Sequence, residues 1–298
     1  MVAVVLDIPF SNVVTQCRRC GGGFGGKFTA SNFTAVVASI AANALQRPVK
    51  FNMTLEDPQR GLGSRPEYLV TYTAGVTDGV VIALQVDVAI ACGFNASDCG
   101  YDHATFPNNV DNCYFVPNFQ ATSTLYQTNV APAATARGPG MIQSVAISEM
   151  IFNQVAQSLG VSAHSLRQNN FYVAGQFTPA GTAIRGDSLQ RIWATALTSS
   201  NWAARRSAVD AFNSSNSFVK RGLSINPARF GVQWGGSGFN SHVAVYAPDG
   251  SICITHGGTE IGQGISTKVA QVCALKLGLS AADLGLIKVL PTTTQLVS

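Results

Sequence analysis

Apolar residues recur at helical spacing from Thr29 to Gln46, where alanines and valines lead to Ile40 and Leu45 before Pro48 stops the pattern. The same period predicts a long helix from about Gln143 to Leu159, ended by Gly160, and a shorter one over Ser165–Asn170. Further helices are predicted around 188–199, 202–213 and Ser266–Leu277. Between them lie β-type runs. Tyr68–Ala74 and Val80–Ala91 are joined at Thr77-Asp78-Gly79, an Asp-Gly turn that favours a hairpin. Val49–Leu55, Gln120–Gln127, Gly222–Trp234, His242–Tyr246 and Ser251–His256 complete the predicted strands, with Pro248-Asp249-Gly250 as a turn. Residues 61–66 read as a loop and 92–119 as irregular chain. The resulting class is mixed α/β (α+β), with a Gly/Pro/Thr-rich boundary at 173–187.

Three glycine-punctuated loops each follow an apolar run and feed a helical pattern. They are Gly21-Gly22-Gly23-Phe24-Gly25-Gly26-Lys27, Ala136-Arg137-Gly138-Pro139-Gly140 and Gly257-Gly258-Thr259-Glu260-Ile261-Gly262-Gln263-Gly264. Such loops can take positive φ and bring backbone N–H groups close to anionic oxygen. The first satisfies G-x-G-x-x-G, yet no Asp or Glu occurs between Lys27 and Glu56 to hold a ribose. It also satisfies G-x-x-x-x-G-K, but Phe28 stands where a P-loop needs Ser or Thr for magnesium. Neither nucleotide reading holds. Arg137 is a natural donor to an anion, and Gln263 offers a donor and an acceptor to a flat heterocycle.

Composition narrows the classes further. Of 298 residues, 46% are hydrophobic and only 11% charged, enough for a large core and too few for an ordinary free surface. Cover by partner chains, or by other parts of the same protein, follows as an expectation. A net charge of +4 without basic runs argues against nucleic-acid binding. No apolar run reaches the roughly 18 residues of a membrane helix, and no signal peptide is expected. Seven cysteines, an odd number, fit a reducing, cytoplasmic setting better than a disulfide framework. Cys17 and Cys20 form a lone C-x-x-C without a second pair.

Together the three loops resemble the molybdopterin-binding subunit of the xanthine dehydrogenase/aldehyde oxidase family. Asp111-Asn112-Cys113-Tyr114 with Pro117-Asn118, Arg167 with Asn170 and Tyr172, Lys220-Arg221-Gly222-Leu223 and Phe230-Gly231 add to the match. The resemblance implies two molybdopterin-binding subdomains, each incomplete, over 1–172 and 188–298, with 173–187 as linker. It implies a Mo-oxo-sulfido centre that hydroxylates an electron-poor carbon with oxygen from water. Phe24 and Gly25 would then lie against the molybdenum and its pterin. The backbone at Arg137 would contact an oxo group, and Ile261, Gly262 and Gln263 would bind the pterin, the cofactor lying between the three loops. Iron–sulfur (2Fe-2S) and FAD domains, a small-molecule substrate and a homodimeric parent are also implied.

Two departures bear on substrate. Phe28 replaces the glutamate that follows the loop lysine in xanthine-oxidising members, and Thr105 replaces an arginine. A pocket lined by Phe28, Thr105, Pro139, Trp234 and Gly235 suits aldehydes or N-heterocycles better than purines. Xanthine dehydrogenase activity and a catalytically inert scaffold are the alternatives. No acidic residue here matches the family's general-base glutamate, so the chain is expected to be a fragment, inactive alone. Glu149 and Glu260 match the family pattern as structural residues.

Overall fold

The computed structural model describes residues 1–298 except 19, 55, 62–63, 97, 232–239 and 296–298. The chain forms two compact units, Met1–Leu62 with Val232–Ser298, and Gly63–Gly231.

In the Gly63–Gly231 unit, β2 (Glu67–Thr77) and β3 (Val80–Ala91) form an antiparallel hairpin, and β4 (Asn118–Tyr126) pairs with β3 in parallel. Asp78 and Gly79 turn the hairpin with φ of 51° and 73°, which the Asp-Gly pair accommodates. Strict alternation along β3 breaks once. Gly75 pairs with Ala83 and Val76 with Val81, so Ile82 is an extra residue. The bulge lets both Val81 and Leu84 face inward, in line with Val86, Val88 and Ile90, while Ile82 is exposed. These side chains meet Ile151, Phe152 and Val155 of α5 (Met141–Leu159), with Leu166 of α6 (Ala163–Asn169) and Trp193 of α7 (Ser188–Ser199) closing the core. Each such aliphatic side chain contributes roughly 1.5–3 kcal/mol when fully buried. Helix α8 (Trp202–Ser215) follows α7.

Two expectations change in this unit. Residues 92–119 contain a helix, α4 (Cys99–Thr105), whose Cys99 and Asp102 are buried, with Phe106 buried just beyond it. Residues 222–231 form no strand. Their backbone is taken up by Asn112, whose amide donates to the Pro227 carbonyl at 3.0 Å and whose carbonyl accepts from Arg229 N–H at 3.1 Å. The rest of that predicted strand, to Trp234, lies outside the described residues.

The other unit holds α1 (Val2–Leu6), β1 (Gln16–Cys17), α2 (Ala30–Leu45) and α3 (Glu56–Gly61) from its first segment. Its second segment adds β5 (Ser241–Val245), β6 (Ile252–His256), α9 (Ile265–Lys276), β7 (Ile287–Val289) and β8 (Thr292–Thr293). Strand β6 lies between antiparallel β5 and parallel β7, and β8 pairs antiparallel with β1. Val13 and Val14 precede that short strand rather than forming it. The strand predicted over 49–55 is absent from described residues 49–54. Phe51 instead packs edge-on against Phe33 of α2, with ring centroids 6.3 Å apart. Gly61, read as loop, closes α3, which accommodates Pro58 in its first turn where no intrahelical N–H is needed. Helix α2 buries no side chain, and Phe33, Ile40 and Leu45 stay exposed.

Candidate cofactor-binding site

Each glycine loop lies between a strand and a helix: β1 and α2, β4 and α5, β6 and α9. The first and third belong to one unit and touch. Cys20 N–H donates to the Glu260 carbonyl at 3.2 Å, and a Cβ added at Gly23 would sit 3.8 Å from the Ile261 side chain. Lys27 turns its ammonium back to the Gly22 carbonyl at 2.9 Å and so closes the first loop on itself. Gly22, Phe24 and Gly25 have φ of 102°, 51° and 85°. Positive φ at Phe24 is the uncommon case. It holds the ring outward, 54% exposed, where Phe28 is also exposed. None of the backbone N–H groups from Gly21 to Lys27 donates to an acceptor among the described residues.

The third loop is organised from within. Glu260 Oε1 accepts from Gly262 N–H at 2.9 Å and Gly264 N–H at 3.1 Å, while Oε2 accepts from Ser266 N–H at 3.1 Å. These bonds, with Ser266 N–H foremost, hold the Glu260 carboxyl below the ordinary carboxylate range. Gln263 closes the same turn by accepting from Ile261 N–H at 2.7 Å and donating to the Thr259 carbonyl at 2.9 Å. The expectation of loop amides open to ligand oxygen therefore applies to the first loop. In the third, the Gly262 and Gly264 N–H groups serve Glu260, joined by Ser266 N–H at the start of α9. Beside it opens a cleft of about 580 Å³ whose walls include Gln16, Arg18, Glu260, Ser266 and Lys288. Neither Arg18 nor Lys288 has an acidic partner among the described residues.

The second loop lies in the other unit. Its Arg137 carbonyl accepts from the Arg65 guanidinium at 2.6 Å, and the Arg137 side chain is exposed. Gly140 has φ of 66°, and a Cβ there would fall 2.8 Å from both the Asp102 carbonyl oxygen and Thr105 Cβ. Thr105 and the Pro139-Gly140 turn are thus brought together. Asp102, missed in the sequence, fixes this arrangement. Its Oδ1 accepts from Gly140 N–H at 2.9 Å, Tyr68 O–H at 2.9 Å and the Gln143 amide at 3.0 Å. Burial and the Asp102 charge raise the Tyr68 hydroxyl well above its ordinary pKa. The available signal was the spacing Cys99, Asp102, Phe106, three and four residues apart, which is helical. Trp234 and Gly235 lie outside the described residues.

A Cβ-poor loop whose N–H donors lack acceptors among the described residues, docked against a Gln-bearing turn beside the Arg18 and Lys288 cations, suits a polyoxygenated, anionic, flat ligand. Residues 1–171 and 195–298 each match the family described as molybdopterin cofactor-binding domain. The chain belongs to that family, as a partial molybdopterin-binding region of the xanthine dehydrogenase/aldehyde oxidase type. It is 36% identical over 287 residues to the xanthine dehydrogenase/oxidase of Felis catus, covering 94% of this chain and 21% of that protein. The xanthine dehydrogenase of Dictyostelium discoideum is 34% identical, covering 95% and 21%. The chain thus spans about a fifth of the length of these relatives. Quinoline 2-oxidoreductase from Pseudomonas putida shares the fold with a TM-score of 0.82 at 18% identity, covering 100% of this chain and 39% of that one. Aldehyde oxidoreductase from Desulfovibrio desulfuricans does so with a TM-score of 0.82 at 22% identity, covering 99% and 32%. No described helix is long and apolar enough to cross a membrane.

Proposed function

We propose that the chain forms the pterin-binding part of a cytoplasmic molybdenum hydroxylase acting on aldehydes or N-heterocycles. The observation that carries this reading is the docking of the two glycine loops through Cys20 and Glu260, within a chain matched at both ends by the cofactor-binding family. When bound, the cofactor would supply the hydroxylation chemistry, with oxygen from water. Phe24, Gly25, Ile261, Gly262 and Gln263 would hold the pterin, and the backbone at Phe24 and Arg137 would face the metal's oxygen ligands. Phe28, Thr105, Pro139, Trp234 and Gly235 would shape the substrate pocket. An apolar wall at Phe28 lacks the acceptor a purine would need, which lowers its affinity for xanthine. We place the proton-accepting glutamate, the 2Fe-2S and FAD domains and a homodimer contact outside these residues, and the subdomain boundary at 173–187.

A second reading, purine hydroxylation, is favoured by the names of the relatives at 34–36% identity. The protein made from its complete gene separates the two. Molybdenum and pterin are quantified, then turnover of benzaldehyde, quinoline and xanthine is compared. Preference for benzaldehyde or quinoline supports the first reading, and xanthine turnover of equal efficiency supports the second. Absence of molybdenum counts against both and in favour of an inert scaffold.

A further inference from the structure

Both oxygen-bearing ends of Glu260 are committed, and to different loops. Its side chain gathers Gly262, Gly264 and Ser266 N–H from the third loop and the start of α9. Its carbonyl takes Cys20 N–H from the residue preceding the first glycine run. Cys20, whose N–H makes that bond, also turns its thiol to the Gly22 carbonyl at 3.2 Å, whereas Lys27 and Gln263 each close only their own loop. Gly262 and Gly264 have φ of 101° and 75°, so their N–H groups can turn together toward one carboxylate.

We propose that Glu260 is the positioning residue of this cofactor site. Its carboxylate fixes the backbone from Ile261 to Gly264, so that the Ile261 side chain meets the first loop at Gly23 at one spacing. This rests on the cofactor-binding reading above, but the geometry can be tested without cofactor. Without the carboxylate, three N–H groups lose their acceptor and can turn outward to water. The conservative Glu260→Gln change keeps one carbonyl oxygen for Gly262 and Gly264 but sets an NH₂ group against Ser266 N–H. Its defect is therefore intermediate.

The test uses amide hydrogen exchange on the cofactor-free chain, and pterin content of the chain purified from a molybdopterin-producing host. Glu260→Ala is expected to speed exchange at Gly262, Gly264 and Ser266 by about tenfold, the loss of one hydrogen bond's protection. Exchange at Ile254 in β6 should stay unchanged, and Glu260→Gln should fall between. Pterin content should fall in the same order. Unchanged exchange at the three amides in Glu260→Ala overturns the proposal, as does equal pterin content in all three proteins that carry it. Loss of Ile254 protection as well would show a general fold defect and also overturn it. A wild-type chain that carries no pterin sinks the cofactor reading, while the exchange pattern still decides whether Glu260 holds the loop.

Discussion

The phenol of Tyr114 donates to Glu149 Oε1 at 2.5 Å, in a core where Tyr114 has no exposed surface. The other oxygen of Glu149 accepts from Arg167 Nε at 2.6 Å, and Asn112 adds a bond of 2.9 Å to Oε1. Burial, then the Glu149 charge, pushes the Tyr114 hydroxyl far above its ordinary pKa, so it remains a donor at any ordinary pH. Four buried polar groups thus satisfy one another at the junction of α5, α6 and the 111–114 turn.

Removing one partner is therefore costly. Arg167→Ala leaves the Glu149 carboxylate buried without its cation, and about 3–5 kcal/mol of stability should be lost. The double variant Arg167→Met with Glu149→Gln removes both charges and should lose much less. Urea unfolding of both proteins measures the difference. Equal losses would mean that the ion pair's charge is not what the core depends on.

Asn112 makes the same point through geometry. It sits fully buried at φ 48°, and its amide and carbonyl hold Pro227 and Arg229 in place of a neighbouring strand. Asn112→Asp removes both amide donors and sets a carboxylate against Glu149. The two lost bonds and the buried unpaired acceptors should cost about 2–4 kcal/mol. Exchange at Arg229 N–H should rise with it in the same samples. A change within 0.5 kcal/mol would show that the 222–231 segment is held by other contacts.

Gly140 and Gly160 share a φ of 66° but differ in ψ, −32° at Gly140 against 23° at Gly160, where the backbone is left-handed helical. A Cβ at Gly160 meets nothing within 4 Å, whereas one at Gly140 strikes Asp102 and Thr105 at 2.8 Å. Gly160→Ala should cost about 1–2 kcal/mol from the left-handed backbone alone. Gly140→Ala adds overpacking of about 1–3 kcal/mol against rigid neighbours. Thermal melts of the two variants give the difference, and identical melting temperatures would remove the steric argument.

Local pattern carried most of the fold into the sequence. Helices α2, α5 and α7 fall within a few residues of their periodic runs, because each is long enough for the period and its stops to be legible. The hairpin at Asp78-Gly79 was visible for a similar reason. Segments whose hydrogen bonds go to distant side chains were not visible. Residues 222–231 look like a strand because their apolar content says nothing of Asn112, more than 100 positions earlier. Helix α4 spans only seven residues and buries the charged Asp102 beside Cys99, so no apolar period marks its inner face. At the candidate site the glycine loops could be read directly, whereas the roles of Asp102 and Glu260 depend on which backbone N–H groups each loop turns inward.

That inward turn gives the third loop a predictable pH response. Hydrogen bonds from Ser266, Gly264 and Gly262 N–H favour the ionised form of Glu260 and lower its pKa in the folded chain. A carboxyl whose folded pKa is depressed contributes stability above its unfolded value, and loses it as pH falls through the folded pKa. The three amides should therefore keep constant protection factors at neutral pH, then lose them on acidification below the ordinary glutamate range. The β6 amides should stay protected in that window, since their partners are backbone carbonyls. In Glu260→Gln nothing titrates, so protection at Gly262 and Gly264 should be weaker but flat with pH. Protection factors measured from neutral pH down to pH of about 3 distinguish the two profiles. A wild-type profile as flat as that of Glu260→Gln would mean the carboxylate's charge does not hold the loop.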